Sequence, residues 1–554
     1  LIHNRHSIRA IASVIIRRAI KRAHTHRPYV EYSMPSFSRL MPLAITLALL
    51  GGVLAVASKN MIVDLDLFHE MALFRQMESE GSMPTTDAFA YTPTNETVVH
   101  HEWATGAVIY LATVSTGLGA PALVALKYFL TFAVCLGCFI YANKQGASLA
   151  VFSILAPFAL NLGGWMAFNN IRAQLFTLLF LVILFFLLDL DRRGKRWWVL
   201  IWFPLFIVWS NMHGGVVSGM GILGVYCFSR LVDAALETRS LLKTLHEVWH
   251  LIVIGLVTLI LLIVNPYGWE YIPYLYRAVS MDRPLILEWR PIWEIRLPLI
   301  YGISVLIAAY AIWREGRTSI FASLALVLTA YLAAKHYRHG SLYAVTWACM
   351  VPPMIERSGL GQEIKNMFDN YKAQITVTAF AIALIATGYS INVRFWELKI
   401  PNQVSKTQKH EVIYPAGAAD YLSEQNLKSE LNLFVPFSAG AFVQWKLYPQ
   451  VKVSIDSRYE VAYPDSAIVE NDDFYKAREG WQDTLQRYDT HAVLVPVNSP
   501  LGELLAKNES QMAKQIGWSS IYKDSGFALY VPEAESEKFT PIDRTGEPIK
   551  GVFP

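Results

Sequence analysis

The chain has 554 residues, 54% of them hydrophobic and only 17% charged, with a formal net charge of +4. Soluble domains carry about a quarter charged residues, so the composition excludes an ordinary soluble protein and points to a polytopic membrane protein. The small net charge argues against a nucleic-acid partner, and the four cysteines (Cys135, Cys138, Cys227, Cys349) all fall in apolar runs and supply no disulfide framework.

Lys and Arg crowd the start of the chain (Arg5, Arg9, Arg17, Arg18, Lys21, Arg22, Arg27), and the positive-inside rule keeps residues 1–39 in the cytoplasm. No cleavable signal is expected, because Leu40 to Lys59 lacks a small-residue cleavage site. Apolar runs of membrane-helix length lie near 40–59, 120–142, 148–166, 173–190, 197–211, 215–235, 248–265, 298–313, 319–335, 340–356 and 374–392. This count places the charged breaks Asp191–Arg196, Arg239–Lys243, Arg314–Arg317 and Glu356–Lys372 in the cytoplasm. Residues 40–392 therefore form the membrane domain, with outer loops at 60–119 and 265–297, and residues 393–554 lie outside. Trp103 to Thr116 is apolar but short, and is read as an interfacial helix, because a crossing there would put Asp191–Arg196 outside.

Within the first outer loop, Leu67, Met71, Phe74 and Met77 have helical spacing, so a helix is expected from Asp66 to Glu80, stopped by Gly81. The second outer loop is rich in aromatics and Arg, a composition that suits the headgroup layer. Past residue 392 the sequence becomes that of a soluble domain. Short β-rich runs at 431–435, 451–455, 492–496 and 528–531 alternate with helical stretches near 438–447, 472–488 and 499–515, so an α/β sheet is expected. No dinucleotide fingerprint or P-loop occurs, and no nucleotide cofactor is expected.

Polar residues cluster at span ends that this topology brings to one face. Asp64 and Asp66, two apart, point the same way in an extended segment and suit a hard divalent cation (Mg or Mn) or a general base. They equally suit the capping of the helix that follows. His69 and Glu70 lie one turn on, giving a metal set of Asp64, Asp66 and His69, or simple interfacial hydrogen bonds. His101 and Glu102 return to the same face ahead of Trp103, with His100 beside them, either as site groups or as an amphipathic anchor. Arg172, Lys335, Arg338 and His339 form a cationic half suited to a phosphate-bearing substrate, and snorkelling cations are the alternative. Asn211 and His213 suit a sugar hydroxyl or a helix end; Glu288 and Arg290 suit the site or a local ion pair. Cys135-Leu-Gly-Cys138 is read as lipid-buried and inert.

The order of these motifs resembles the GT-C superfamily of polytopic glycosyltransferases, nearest to an uncharacterised bacterial group and more distantly to protein O-mannosyltransferases and lipid A aminoarabinose transferases. The resemblance rests on Asp64-Leu-Asp66-Leu-Phe-His69-Glu70, Gly81 to Thr92, His101-Glu102-Trp103, Arg172-Ala-Gln174, Asn211-Met-His213-Gly214, Asn265-Pro-Tyr-Gly268, Glu288-Trp-Arg-Pro291, Tyr337-Arg338-His339, Leu447-Tyr-Pro-Gln450 and Ile455-Asp456-Ser-Arg458. It implies a multi-pass protein of the cell inner membrane, GT-C-like with about eleven transmembrane helices and a C-terminal α/β domain. It implies transfer of a sugar from a polyprenyl-phosphate lipid to a glycan, protein or lipid acceptor on the extracytoplasmic face, with inversion. Asp64 or Asp66 would be the base, and Arg172, Lys335 and Arg338 or a divalent ion would take the departing phosphate. No sequon-reading motif is present, so an asparagine acceptor is not expected. An inactive GT-C-like scaffold bound to protein partners is the alternative, followed by a transporter, whose polar groups would normally sit at the midplane.

Overall fold

The computed structural model describes residues 37–164, 167–281, 283, 285–295, 298–403, 413–425, 427, 429–507 and 517–554. Residues 1–36 of the basic N-terminus read at 1–39, and the end of the helix expected at 499–515, lie outside the described residues.

Eleven helices coincide with the expected spans: α1 (Phe37–Ser58), α4 (Ala120–Lys144), α5 (Leu149–Gly164), α6 (Gln174–Arg192), α7 (Val199–Met212), α8 (Val216–Thr238), α9 (Leu241–Ile260), α11 (Pro298–Glu315), α12 (Ile320–Lys335), α13 (Gly340–Arg357) and α15 (Lys372–Asn392). Six of them (α1, α4, α6, α8, α9 with the turn after it, and α15) are long and apolar enough to cross a membrane. The surface helices α2 (Asp66–Glu80), α3 (Trp103–Tyr110), α10 (Tyr271–Ser280) and α14 (Gly359–Asn370) join them. Apolar side chains such as Phe129, Leu200, Leu306, Leu384 and Ile385 face outward, the distribution a lipid solvent favours and water does not. The chain is a polytopic helical membrane protein with a C-terminal α/β domain.

At the centre stand α6, whose buried stripe runs from Leu175 to Leu188, and α13, buried from Gly340 to Ile355. Their adjoining ends are tied by the Gln174 amide, which donates to Arg338 O (3.1 Å) and Ser341 Oγ (2.8 Å). The two ends of the bundle differ. At one, Lys127 donates to Asn60 O and Asn169 O, each at 2.8 Å, joining the chain after α1 to the chain before α6. At the other, Glu356 accepts from Ser148 and pairs with Lys365, while Arg193 pairs with Asp189. Charged breaks of the sequence thus collect opposite the acid- and histidine-bearing ends.

Helix α2 has the expected bounds, and Gly81 closes it with φ 70°, its N–H bonded to Met77 O; only glycine adopts that conformation freely. Helix α3 continues through a π-turn at Leu111–Ser115. Thr105 donates to Met212 O (2.6 Å) at the end of α7, and Gly119, where the segment finishes, starts the helix that carries Lys127. The segment therefore starts and finishes at one end of the bundle. Gly106 is where α3 crosses α2: a Cβ there would lie 2.3 Å from Glu70 O.

The C-terminal domain adds α16 (Ala416–Glu424), α17 (Phe437–Leu447) and a six-stranded sheet, β1 (Leu431–Phe434), β2 (Val451–Val453), β3 (Ala492–Pro496), β4 (Trp518–Lys523), β5 (Phe527–Pro532) and β6 (Ile542–Asp543), in the order β2-β1-β3-β5-β4-β6. β2, β1 and β3 are parallel, β5 is antiparallel to β3 and β4, and β6 is parallel to β4. Alternation along the strands divides the core: Leu433, Leu494 and Leu529 pack with α17, whereas Phe434, Val493 and Val495 pack with Phe474 and Trp481. The first core also takes in α2. Phe68 lies 5.3 Å from the Tyr414 ring and 5.1 Å from Phe442, so the first outer loop is built into the C-terminal domain.

A cysteine at exposed Ser82 and one at exposed Lys195 should react with an impermeant maleimide from opposite sides of the membrane. Labelling of both from one side would refute the two-ended arrangement.

Candidate active site

Arg172, in the loop entering α6, is the hub of the site. Its Nε lies 2.8 Å from Asp64 Oδ2, its Nη1 2.7 Å from Glu288 Oε2 and its Nη2 3.7 Å from Asp66 Oδ2. Glu288 extends the chain of alternating charge to Arg338, 3.5 Å away. The Arg338 and Arg283 guanidiniums lie 4.6 and 4.1 Å from the centroid of the Trp289 ring. Burial would raise the Glu288 carboxyl, but Arg172 and Arg338 outweigh it and hold the group at about 2. Asp66 is different: burial first, and then Asp64 beside it, push it well above the usual carboxylate range. Asp64 also accepts the Asp66 N–H (3.2 Å), so it caps α2 while holding Arg172.

A second cluster surrounds Glu102. Its Oε1 lies 3.2 Å from His101 Nε2 and 3.5 Å from His213 Nε2. His213 Nδ1 accepts the Gly215 N–H (2.9 Å) and touches Thr177 Oγ1 (2.8 Å). A backbone donor on Nδ1 fixes the tautomer, so Nε2 carries the proton toward Glu102. Gly215 is required here, because a Cβ would lie 2.5 Å from His213 Nδ1. His101 Nδ1 meets Tyr274 Oη at 2.8 Å, consistent with its own Nε2–H facing Glu102. Glu70, buried on α2, adjoins Glu102.

Both clusters line one cavity of about 850 Å³. One wall comes from the C-terminal domain through Phe437, Ser457, Arg458 and Glu460. His69 Nδ1 meets Ser457 Oγ at 3.1 Å, and burial lowers the imidazole to about 4. Arg283 grips Glu460, and the buried Arg458 binds Asp456, Tyr463 and Asp87 of the first outer loop. Another wall is apolar, formed by Val217, Gly221, Leu275, Val279, Leu328 and Tyr331. Val279 and Tyr331 are also well exposed.

Of the residues singled out in the sequence, Asp64, Asp66, His69, Glu70, His101, Glu102, Arg172, His213, Glu288, Lys335, Arg338 and His339 all line this cavity. Asn211 and Arg290 do not. The Asn211 side chain accepts the Trp103 indole N–H (2.8 Å) and donates to Ile207 O and Val264 O, which makes it a fastener of helix ends. Arg290 is exposed, and Glu288 pairs with Arg172 and Arg338 instead of forming the local pair considered above. Asp64, Asp66 and His69 do not form a metal set in this arrangement, since Arg172 occupies Asp64 and Ser457 meets His69. Among the described residues no three His, Cys, Asp or Glu side chains are grouped to hold a metal ion. Trp289, from the Glu288-Trp-Arg-Pro291 motif, also lines the cavity, as do Tyr274, Arg283 and Glu460, for which the sequence held no signal beyond the aromatic, Arg-rich loop that carries Tyr274 and Arg283.

No protein-family model and no curated protein sequence matches the chain. Among solved structures it is similar to the archaeal oligosaccharyltransferase AglB from Archaeoglobus fulgidus, in complex with an inhibitory peptide and a dolichol-phosphate. The TM-score is 0.54 at 9% identity, covering 84% of this chain and 70% of that one. A second structure of the Archaeoglobus fulgidus oligosaccharyltransferase, tethered to an acceptor peptide, matches at TM-score 0.49 and 9% identity over 82% and 69% of the two chains. ArnT from Cupriavidus metallidurans in the apo state matches at 0.46 and 15% over 90% and 98%. The fold is similar to that of the archaeal oligosaccharyltransferase AglB.

Replacing Arg458 by Met would strand Asp456 and Asp87 as buried charges, at a cost of about 3–5 kcal/mol. The thermal midpoint in detergent should fall, and the Arg458→Met/Asp87→Asn double variant should lose less than the sum of the single losses. Additive losses would mean that the pair does not clamp loop to domain.

Proposed function

We propose that the protein transfers a sugar from a polyprenyl-phosphate lipid to an acceptor hydroxyl at the extracytoplasmic face of the inner membrane. The observation that carries this reading is the continuity of the cavity. Carboxylates and guanidiniums at the bundle end pass directly into an apolar wall that includes Val279 and Tyr331, both well exposed. A phosphate with an isoprenoid tail has that division of chemistry. The dolichol-phosphate in the AglB complex supports the same class of donor.

The reaction follows from the two kinds of charge. Asp64 is committed to Arg172, so Asp66, with 34% of its side chain exposed and its contact to Arg172 long, is the base. Burial and the adjoining Asp64 raise its proton affinity, which suits a group that must accept a proton from a hydroxyl. As Asp66 takes that proton, the acceptor oxygen bonds to the anomeric carbon from the face opposite the phosphate. The carbon–oxygen bond to phosphate breaks with inversion, and its electron pair leaves on the lipid phosphate. Arg338 and Lys335, with Arg172 behind them, take up that charge through hydrogen bonds that strengthen as it develops.

Asp66→Asn should reduce transfer about 10²–10⁴-fold with no change in thermal midpoint. Membranes carrying the variant should retain the lipid-linked sugar that wild-type membranes consume; undiminished consumption would remove Asp66 as base. Because the base must be ionised, transfer should fail as pH drops through a point above the ordinary carboxylate range. A rate unchanged down to the pKa of a free aspartate would contradict that assignment. Arg338→Ala should weaken binding of undecaprenyl phosphate about tenfold or more, and unchanged affinity would place the phosphate elsewhere.

A further inference from the structure

Glu70 is a buried carboxyl for which nothing above provides. It is 2% exposed and lines the cavity, yet no donor among the described residues reaches either of its Oε atoms. Its backbone cannot retreat, because the α2–α3 crossing at Gly106 leaves no room behind it. The group beside it is Glu102, another carboxyl, which adjoins it where α3 crosses α2. Two ionised carboxylates in that position repel and cannot bond; with one proton between them they form a hydrogen bond.

The proton's location follows from the other neighbours. Glu102 faces Nε2 of His101 and of His213; the Gly215 N–H on Nδ1 leaves the His213 proton on Nε2, and the Tyr274 hydroxyl meets the other nitrogen of His101, which frees its Nε2–H to face Glu102 as well. It is therefore the ionised member, and Glu70 is the neutral acid that donates to it. Burial and the negative charge of Glu102 also raise Glu70, and the two imidazoles lower Glu102 against its own burial.

Even so, the four carboxyl oxygens have more acceptor capacity than two imidazoles and one proton can fill. Acceptors left empty in a buried site are costly, so the cluster calls for donors from outside the chain. His213 also feels both Arg172 and Arg338, so the cluster adjoins the phosphate-binding half of the cavity. A sugar carried on that phosphate would present its hydroxyls here.

We infer that Glu70 and Glu102 hold one proton between them and, with His101 and His213, form a subsite for the hydroxyl groups of the donor's sugar. This rests on the transferase reading, but its test separates the two. The purified full-length protein in nanodiscs is titrated with undecaprenyl phosphate and with a panel of undecaprenyl-phosphate hexoses and pentoses. Wild type should bind at least one sugar-bearing lipid about tenfold or more tightly than the bare phosphate. Glu102→Gln should erase that preference while leaving affinity for the bare lipid unchanged. Glu70→Gln should keep it, because a neutral amide can still donate to Glu102. It should also remove a protonated-carboxyl band from the infrared difference spectrum at neutral pH. Failure of wild type to bind any of these lipids would overturn the transferase reading. Binding all of them equally, or loss of preference in Glu70→Gln as in Glu102→Gln, would overturn the subsite and leave that reading standing, as would an unchanged infrared band.

Discussion

A buried guanidinium organises this molecule. Arg172 meets three carboxylates from two separate loops, and those loops begin at the ends of helices that share no hairpin. Desolvating so many charges is expensive, and their mutual attraction recovers the cost only with good geometry. The 2.8 and 2.7 Å contacts to Asp64 and Glu288 provide it. The consequence is a division of labour between adjoining acids. Asp64 is fixed as a counter-ion and helix cap, whereas Asp66, two residues further on, remains more open to the cavity.

The same interaction explains why the framework behind it is so heavily fastened. Lys127 holds the backbone on both sides of the Asp64–Arg172 pair, and the Gln174 amide ties the entry of α6 to the loop carrying Arg338. From the outside, the Arg458 cluster anchors the first outer loop to the C-terminal domain through Asp87. That domain is thus structurally continuous with the cavity: it shares a core with α2 through Phe68 and contributes Ser457 and Glu460 to the wall. A C-terminal domain that merely capped the bundle would not need to supply cavity residues.

Much of this was legible in the sequence, for identifiable reasons. The spans follow from apolar length, and the helix from Asp66 to Glu80 follows from 3.6-residue spacing ended by a glycine. The convergence of the polar motifs followed once Trp103–Thr116 was laid along the surface. What was not legible depends on tertiary partners. Trp518–Lys523 carries mixed polarity because its burial is partial, so β4 gave no apolar run. The helical stretch at 472–488 is in fact two helices, 465–475 and 481–487, divided before Gly480 at φ 82°. For Asn211 the sequence left a sugar-hydroxyl contact and a helix end both open, and its amide is taken up by Trp103 and two carbonyls. For Glu288 the sequence left a site role and a local pair with Arg290 both open, because sequence proximity says nothing of Arg172 from another loop.

The account stands on the claim that the polar cluster and the apolar wall are two halves of a single lipid-phosphate site. The most direct measurement is a high-resolution density map of the protein in nanodiscs with undecaprenyl phosphate. The account predicts phosphate density against Arg338 and Lys335, on the side of Arg172 away from Asp64, with the tail running past Leu328 and Tyr331. Phosphate density at another end of the bundle, with this cavity closed by its own side chains, would contradict it.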